Sequence, residues 1–166
     1  MRLSHQPLGR QKERNIMIKR LVGSGDKIGL FALPFIVIGL GLNIWKPNWF
    51  SVGGPTNILK IISIIILIPG IIIWAWSVIL ILTKVPQKQL ITTGPYALVK
   101  HPLYAGVAFL VLPWFGFLCN SWLGIVVGGA FYVGRLLFAP EEERKLSTEY
   151  RVEWEKYIKN LIIPWL

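Results

Sequence analysis

Apolar residues in this chain neither alternate nor keep to one helical stripe. They run in four near-continuous blocks, at residues 28–45, 58–82, 103–118 and 121–138. A helix that is apolar all round must be surrounded by protein or by lipid. At a rise of roughly 1.5 Å per residue, each block approaches the ~30 Å of a bilayer's hydrocarbon, the third being the shortest. From His101 to Gly134 there is no Asp, Glu, Lys or Arg, and Cys119-Asn120-Ser121 divides that long run into a helical hairpin. Pro34, the Pro69-Gly70 pair and Pro113 fall inside blocks, where neighbouring helices satisfy freed backbone groups and a kink is tolerated. After Phe138 the pattern changes. Pro140 suits a first turn, Glu141, Glu142 and Glu143 suit the positive end of a helix dipole, and Leu146, Tyr150, Trp154, Tyr157 and Leu161 recur at spacings of three and four. This predicts an amphipathic helix over residues 140–160, packed on the spans or lying at the interface. Residues 1–27 form a basic arm with no short apolar core ending in a small-residue cleavage site, so a signal peptide is not expected. The predicted architecture is all-α: a polytopic membrane helical bundle of about four transmembrane helices plus the C-terminal helix, making one membrane domain over residues 28–166.

Composition agrees with a bilayer. The 166 residues are 54% hydrophobic and 16% charged, with a mean hydropathy of +0.55, too apolar for a water-soluble domain of this size. One Cys excludes a disulfide framework, and with only two His no four-ligand structural metal site is expected. The excess of 18 Lys and Arg over 8 Asp and Glu is poor support for a nucleic-acid partner, because in a multi-span chain such charge faces anionic headgroups and sets orientation. Arg2, Arg10, Lys12, Arg14, Lys19, Arg20 and Lys27 precede the first block, whereas the first loop carries only Lys46. That asymmetry predicts a cytoplasmic N-terminus. With four spans, the second loop (Lys84, Lys88, Lys100) and the C-terminal tail fall on the same side.

Two clusters of chemistry-bearing residues therefore share one face. The first is "TTGPYALVKHPLYAG", residues 92–106, which packs Gly, two Pro, two Tyr, Lys and His between two apolar blocks. Its plain reading is a Gly94-Pro95 turn, a helix starting at His101-Pro102, and Tyr96 and Tyr104 as interfacial anchors. Its functional reading is a ligand pocket in which His101 and Tyr104 offer hydrogen bonds and aromatic faces. The second cluster is "PEEERK", residues 140–145. At least one of its carboxylates serves the helix dipole, but a carboxylate at the membrane boundary also suits a cationic ligand or a proton. Arg135, inside the last block, must snorkel to the interface or pair with a Glu or an anionic ligand. "GSGDKI" at 23–28 imitates a dinucleotide fingerprint but follows no strand and lacks the third glycine.

Taken together, "LITTGPYALVKHPLYAG" and, about 35 residues on, "EERKL" with Tyr150, Trp154, Tyr157 and Pro164 in step resemble the isoprenylcysteine carboxyl methyltransferase and phospholipid methyltransferase family. The resemblance covers roughly residues 82–166. It implies an integral membrane, all-helical enzyme that binds S-adenosylmethionine outside any Rossmann domain and methylates a lipid-like or small hydrophobic acceptor, an isoprenylcysteine-type carboxylate or a lipid amine. Residue by residue, cofactor contacts fall on Lys88, Gln89, Leu90 and Ile91, on Tyr96, on His101, Pro102, Leu103 and Tyr104, and on Glu142. Arg135 and Glu143 are the candidates for handling the acceptor. The pattern departs in two places: the family's Arg before His is Lys100, and its substrate-side Arg corresponds to Phe138, with Arg135 almost one turn earlier.

Expected partners are membrane lipids and a lipophilic methyl acceptor, without nucleic acid, and both termini and the active site are expected on the cytoplasmic side. Two competing readings have distinct signatures. An NADPH-dependent membrane reductase of the sterol type would be protected thermally by reduced nicotinamide. A non-enzymatic scaffold would tolerate loss of His101 and Tyr104 without losing any ligand binding.

Overall fold

The computed structural model describes residues 24–54 and 57–166, so most of the basic arm lies outside the described residues. Helix α1 is Gly25–Trp45 and leads into a one-turn α2, Pro47–Phe50. Helix α3 is Asn57–Lys84. Two 3-10 turns follow, Val85–Gln87 and Gly94–Ala97. A continuous helical rod then comprises α4 (Pro102–Ala105), a π-helical stretch (Gly106–Val111) and α5 (Leu112–Leu118). The last element is α6, Leu123–Asn160. Among the described residues there is no strand; one isolated bridge joins Val99 to Ile163. Three helices, α1, α3 with its 3-10 extension, and α6, are long and apolar enough to cross a membrane, and Pro102–Leu118 is a shorter apolar helix.

Large apolar side chains on α1 and α3 point outward, including Leu30, Ile44, Ile58, Ile65 and Ile79, while, Ile28 apart, the buried positions are small: Ala32, Gly39, Ser63, Gly70 and Ser77. Such inversion is the signature of helices solvated by lipid, where close backbone approach at small residues holds the bundle together. The hydroxyls of buried Ser63 and Ser77 are satisfied within their own helix, each donating to the carbonyl four residues back, Leu59 and Ile73. The hairpin between the rod and α6 follows the same rule. A Cβ on Gly124 would overlap the carbonyl of Leu112, and one on Gly128 the carbonyl of Ala108.

The π-helical stretch has a local cause. Pro113 brings no N–H to a helix interior, and just before it the Leu112 N–H donates to the carbonyl of Val107, five residues back. The wider register steps around the missing donor without ending the rod.

The bundle has two polar ends. At one, Asn120 Nδ2 donates to Ser51 Oγ (2.9 Å) and the Trp122 N–H to the Phe50 carbonyl (3.0 Å). At the other, the start of α1, the loop before α4 and the polar half of α6 come together. The expected break between a last span and a separate C-terminal helix at Pro140 does not occur: α6 runs through Pro140 and departs from helical geometry only at Arg151 (φ 37°, ψ −103°). Pro140 frees only the carbonyl one turn earlier, at Leu136, where the helix is leaving its apolar section and both residues are exposed. As far as the kink at Arg151 the polar section thus continues the helix of the span, and it carries the three glutamates at a height set by the bundle.

Candidate active site

The loop that presents His101 is shaped by residues that leave the backbone few choices. Gly94 adopts φ 62°, and a Cβ there would lie 3.0 Å from the Trp76 ring; glycine satisfies both the left-handed conformation and the close approach. Pro95 then opens the 3-10 turn. His101 stays outside the α region that a following proline disfavours (φ −127°, ψ 62°), and Pro102 starts α4. The loop is also strapped from outside. The Ile163 N–H donates to the Leu98 carbonyl (3.0 Å), the Lys100 N–H to the Leu166 carbonyl (3.1 Å), and Tyr157 Oη to the Tyr96 carbonyl (2.9 Å).

Against this loop, successive glutamates of α6 point about 100° apart, and each meets a different partner. Glu141 faces water, bound by Lys27 (2.6 Å) and Lys145 (2.8 Å). Glu142 faces the start of α1: its Oε2 accepts from the Ser24 hydroxyl (2.5 Å) and from the Ser24 N–H (3.2 Å). Glu143 faces the loop, with Oε2 receiving Lys100 Nζ (2.8 Å) and Oε1 beside His101 Nε2 (2.9 Å). Arg135 Nη2 stands 3.8 Å from the same Oε1, and its guanidinium lies 5.9 Å from the Tyr132 ring centroid. Three potential cations converge on one carboxylate.

Burial alone would push the Glu143 carboxyl up, but the hydrogen bonds from His101 and Lys100 outweigh it and hold the group down at about 2. It is ionised at any neutral pH. Arg135 is 5% exposed, and its Nε has no hydrogen-bond partner among the described residues. Of the two options for this arginine, pairing with Glu143 is the one realised, and one buried donor is left over. The Tyr96 phenol is pushed above its ordinary value by burial and then by the nearby charge of Glu142, so it remains a neutral hydroxyl. His101 is buried and stacks on Tyr104, centroids 5.7 Å apart and planes at 28°.

The sequence-predicted residues thus divide. Tyr96, His101, Tyr104, Arg135, Glu142 and Glu143 gather at one end of the bundle, with Pro102 buried and Leu103 half-buried beside them. Lys88, in a left-handed conformation, and Gln89 are exposed; Ile91 is half-buried. Leu90 lines a cleft of about 420 Å³ with Thr92 and Ala97 of the loop and Glu153, Lys156, Tyr157, Asn160 and Leu161 of α6 and its end. Phe138, where the family's substrate-side arginine would stand, rests against Phe31 of α1 (6.1 Å between centroids). Two participants escaped the sequence reading. Ser24 was part of a discarded glycine-rich string, and nothing local to it signals a partner 118 residues away. The strap at residues 161–166 is marked in the sequence only by Leu161 in the helical spacing and Pro164 in the family pattern, neither of which points to the loop.

Comparison with curated proteins returns no match. The family model described as isoprenylcysteine carboxyl methyltransferase (ICMT) family matches residues 58–148, more than half of the 166 residues, and spans α3, the shaped loop, the rod and the glutamate-bearing turn of α6. An all-helical membrane bundle that brings the loop histidine onto those glutamates therefore belongs to the isoprenylcysteine carboxyl methyltransferase family, as an integral membrane methyltransferase.

Proposed function

We propose that this protein transfers a methyl group from S-adenosylmethionine to a lipophilic acceptor at the cytoplasmic boundary of the membrane. The observation that carries the reading is the meeting of His101 and Tyr104 with Glu142 and Glu143, some 40 residues apart in sequence; other residues of the same loop and a later stretch of α6 line a cleft. The residues present suit the cofactor. Among the described residues nothing donates to Glu142 Oε1, so that oxygen can accept from an ammonium or a hydroxyl. The cleft of about 420 Å³ mixes apolar Leu90, Ala97 and Leu161 with polar Thr92, Lys156 and Asn160, as a nucleoside requires, and its size falls in the range of small-molecule sites, roughly 300–1,000 Å³.

In this reading Glu142 binds the cofactor's polar end, Lys88, Gln89, Leu90 and Ile91 line its approach from water, and Tyr96, His101, Pro102, Leu103 and Tyr104 form the wall that excludes solvent. S-adenosylmethionine, when bound, supplies an activated methyl group on a sulfonium centre. The chain's main task is to hold the acceptor in line and keep water out. Arg135 and Glu143 handle the acceptor as a coupled pair, with the unpartnered Nε of Arg135 as the donor available to it. A carboxylate held at about 2 is a poor proton acceptor near neutrality. Glu143 therefore favours an acceptor that arrives already deprotonated, a carboxylate or thiolate, over a protonated amine. The test is to incubate purified protein with methyl-labelled S-adenosylmethionine and total lipid and peptide extracts. Label in an apolar carboxyl ester or thioether supports the reading, and no labelled product from any extract overturns it.

We further propose four crossings with both termini cytoplasmic. The rod from Pro102 to Leu118 starts at the end that holds the glutamates and finishes beside Asn120, which binds Ser51 at the other, and the Lys and Arg asymmetry assigns the side. Tags at the two termini should both be shielded from an impermeant reagent in sealed cells. Labelling of one tag alone would require an odd number of crossings.

A further inference from the structure

The family match begins at residue 58, yet the carboxylate proposed to bind the cofactor is held from outside it. Ser24 lies immediately before α1 and is 5% exposed. A serine at that position ordinarily caps its own helix, but no side-chain cap bond is made here. The hydroxyl instead donates to Glu142 Oε2 at 2.5 Å, and the Ser24 N–H donates to the same oxygen at 3.2 Å. Because the one hydroxyl proton is committed to the carboxylate, Tyr104 Oη, 3.3 Å from Ser24 Oγ, is left as the donor to it. The result is a chain running from Tyr104 through Ser24 to Glu142, in which charge on the last member strengthens each preceding bond.

We propose that Ser24 is a positioning residue for the cofactor site: by saturating Glu142 Oε2 it fixes the carboxylate's rotation so that Oε1 is the oxygen presented to ligand, and it fixes the Tyr104 hydroxyl in the same act. The proposal rests on the methyltransferase reading. It also assigns α1 a part in the site rather than a role as anchor alone. Lys27, one turn along and on the same side, binds exposed Glu141 and reaches neither Tyr104 nor Glu142. It therefore supplies a control that perturbs the docking of α1 without touching the chain of hydroxyls.

The experiment titrates the full-length protein in detergent with S-adenosylmethionine and with S-adenosylhomocysteine by calorimetry, and records steady-state KM and kcat. Ser24→Ala should weaken binding about five- to tenfold, the range for losing a bond to a charged group at one remove, and raise the cofactor KM more than it lowers kcat. Ser24→Thr, which keeps the hydroxyl, should bind within about twofold of wild type, and Lys27→Ala should be unchanged. If Ser24→Ala does not yield folded protein, Ser24→Gly, which keeps the N–H and lacks the hydroxyl, takes its place. Wild-type affinity in the hydroxyl-less variant overturns the proposal and leaves the methyltransferase reading standing. Equal weakening by Lys27→Ala and Ser24→Ala also overturns it, because helix docking would then account for both. Failure of the wild-type protein to bind either cofactor form removes the reading itself and the proposal with it.

Discussion

Glu143→Ala is expected to lower stability by about 2–3 kcal/mol, the largest loss of any single change in the acidic cluster, seen as a drop in melting temperature in detergent. Removing this carboxylate does more than delete three contacts. It leaves Arg135, 5% exposed, as a buried charge with no carboxylate near it among the described residues, and strands Lys100 on the same side. Breaking one partner of a buried ion pair is costly because the other charge stays desolvated, whereas replacing both with apolar residues is often neutral. The double variant Arg135→Met, Glu143→Met should therefore recover most of the melting temperature while remaining inactive. Glu143→Gln should keep the fold better than alanine and lower turnover more than cofactor affinity, as an interaction made mainly in the transition state does. A Glu143→Ala protein that melts with wild type would mean that Lys100, His101 and Arg135 do not depend on this carboxylate.

The second large effect concerns binding. Glu142→Gln should raise the dissociation constant for S-adenosylmethionine by about ten- to a hundredfold, since a hydrogen bond to a charged group contributes roughly 1.5–3 kcal/mol. The amide oxygen can still accept from Ser24, so the fold and the melting temperature should be little changed. Glu141→Gln is the matched comparison one residue away. Its carboxylate is held low, at about 2, by Lys145 first and Lys27 second, but both contacts are in water and neither reaches the loop, so cofactor affinity should be that of wild type. Calorimetric titration of the three proteins decides the matter. Equal affinity in Glu142→Gln and wild type would move the cofactor away from this carboxylate.

How much of this was legible in the chain depends on the distance over which each signal acts. Apolar blocks at 28–45 and 58–82 lie within helices Gly25–Trp45 and Asn57–Lys84, because hydropathy is a local property and lipid imposes it on every residue. The turn at Gly94-Pro95 and the helix start at Pro102 were equally local. Pro140 misled for the opposite reason. A proline marks a probable boundary, but at the edge of a bundle the freed carbonyl is exposed and the helix simply continues. The division of labour among Glu141, Glu142 and Glu143 could be suspected from one consecutive run, and the partner of each could not. Ser24 and Lys100 come from remote parts of the chain, and no periodicity encodes which of three adjacent carboxylates they will meet, nor that Ile163 and Leu166 will strap the loop. Arg135 was open between snorkelling and pairing, and only the height of Glu143 on a continuous α6 resolved it.

The π-helical stretch Gly106–Val111 makes the bundle unequally tolerant of changes in chain length. A π turn is an α turn holding one surplus residue, so deleting a single residue from it should restore the α register, and by helical geometry turn everything before it by about 100° relative to everything after. The rod would survive, but His101 and Tyr104 would face lipid or α3 in place of the glutamates. The same deletion at the exposed Pro86 or Gln87 would merely shorten a connector. In any collection of single-residue deletions across this chain, residues 106–111 should form a short window in which the protein still inserts and folds but no longer retains its cofactor.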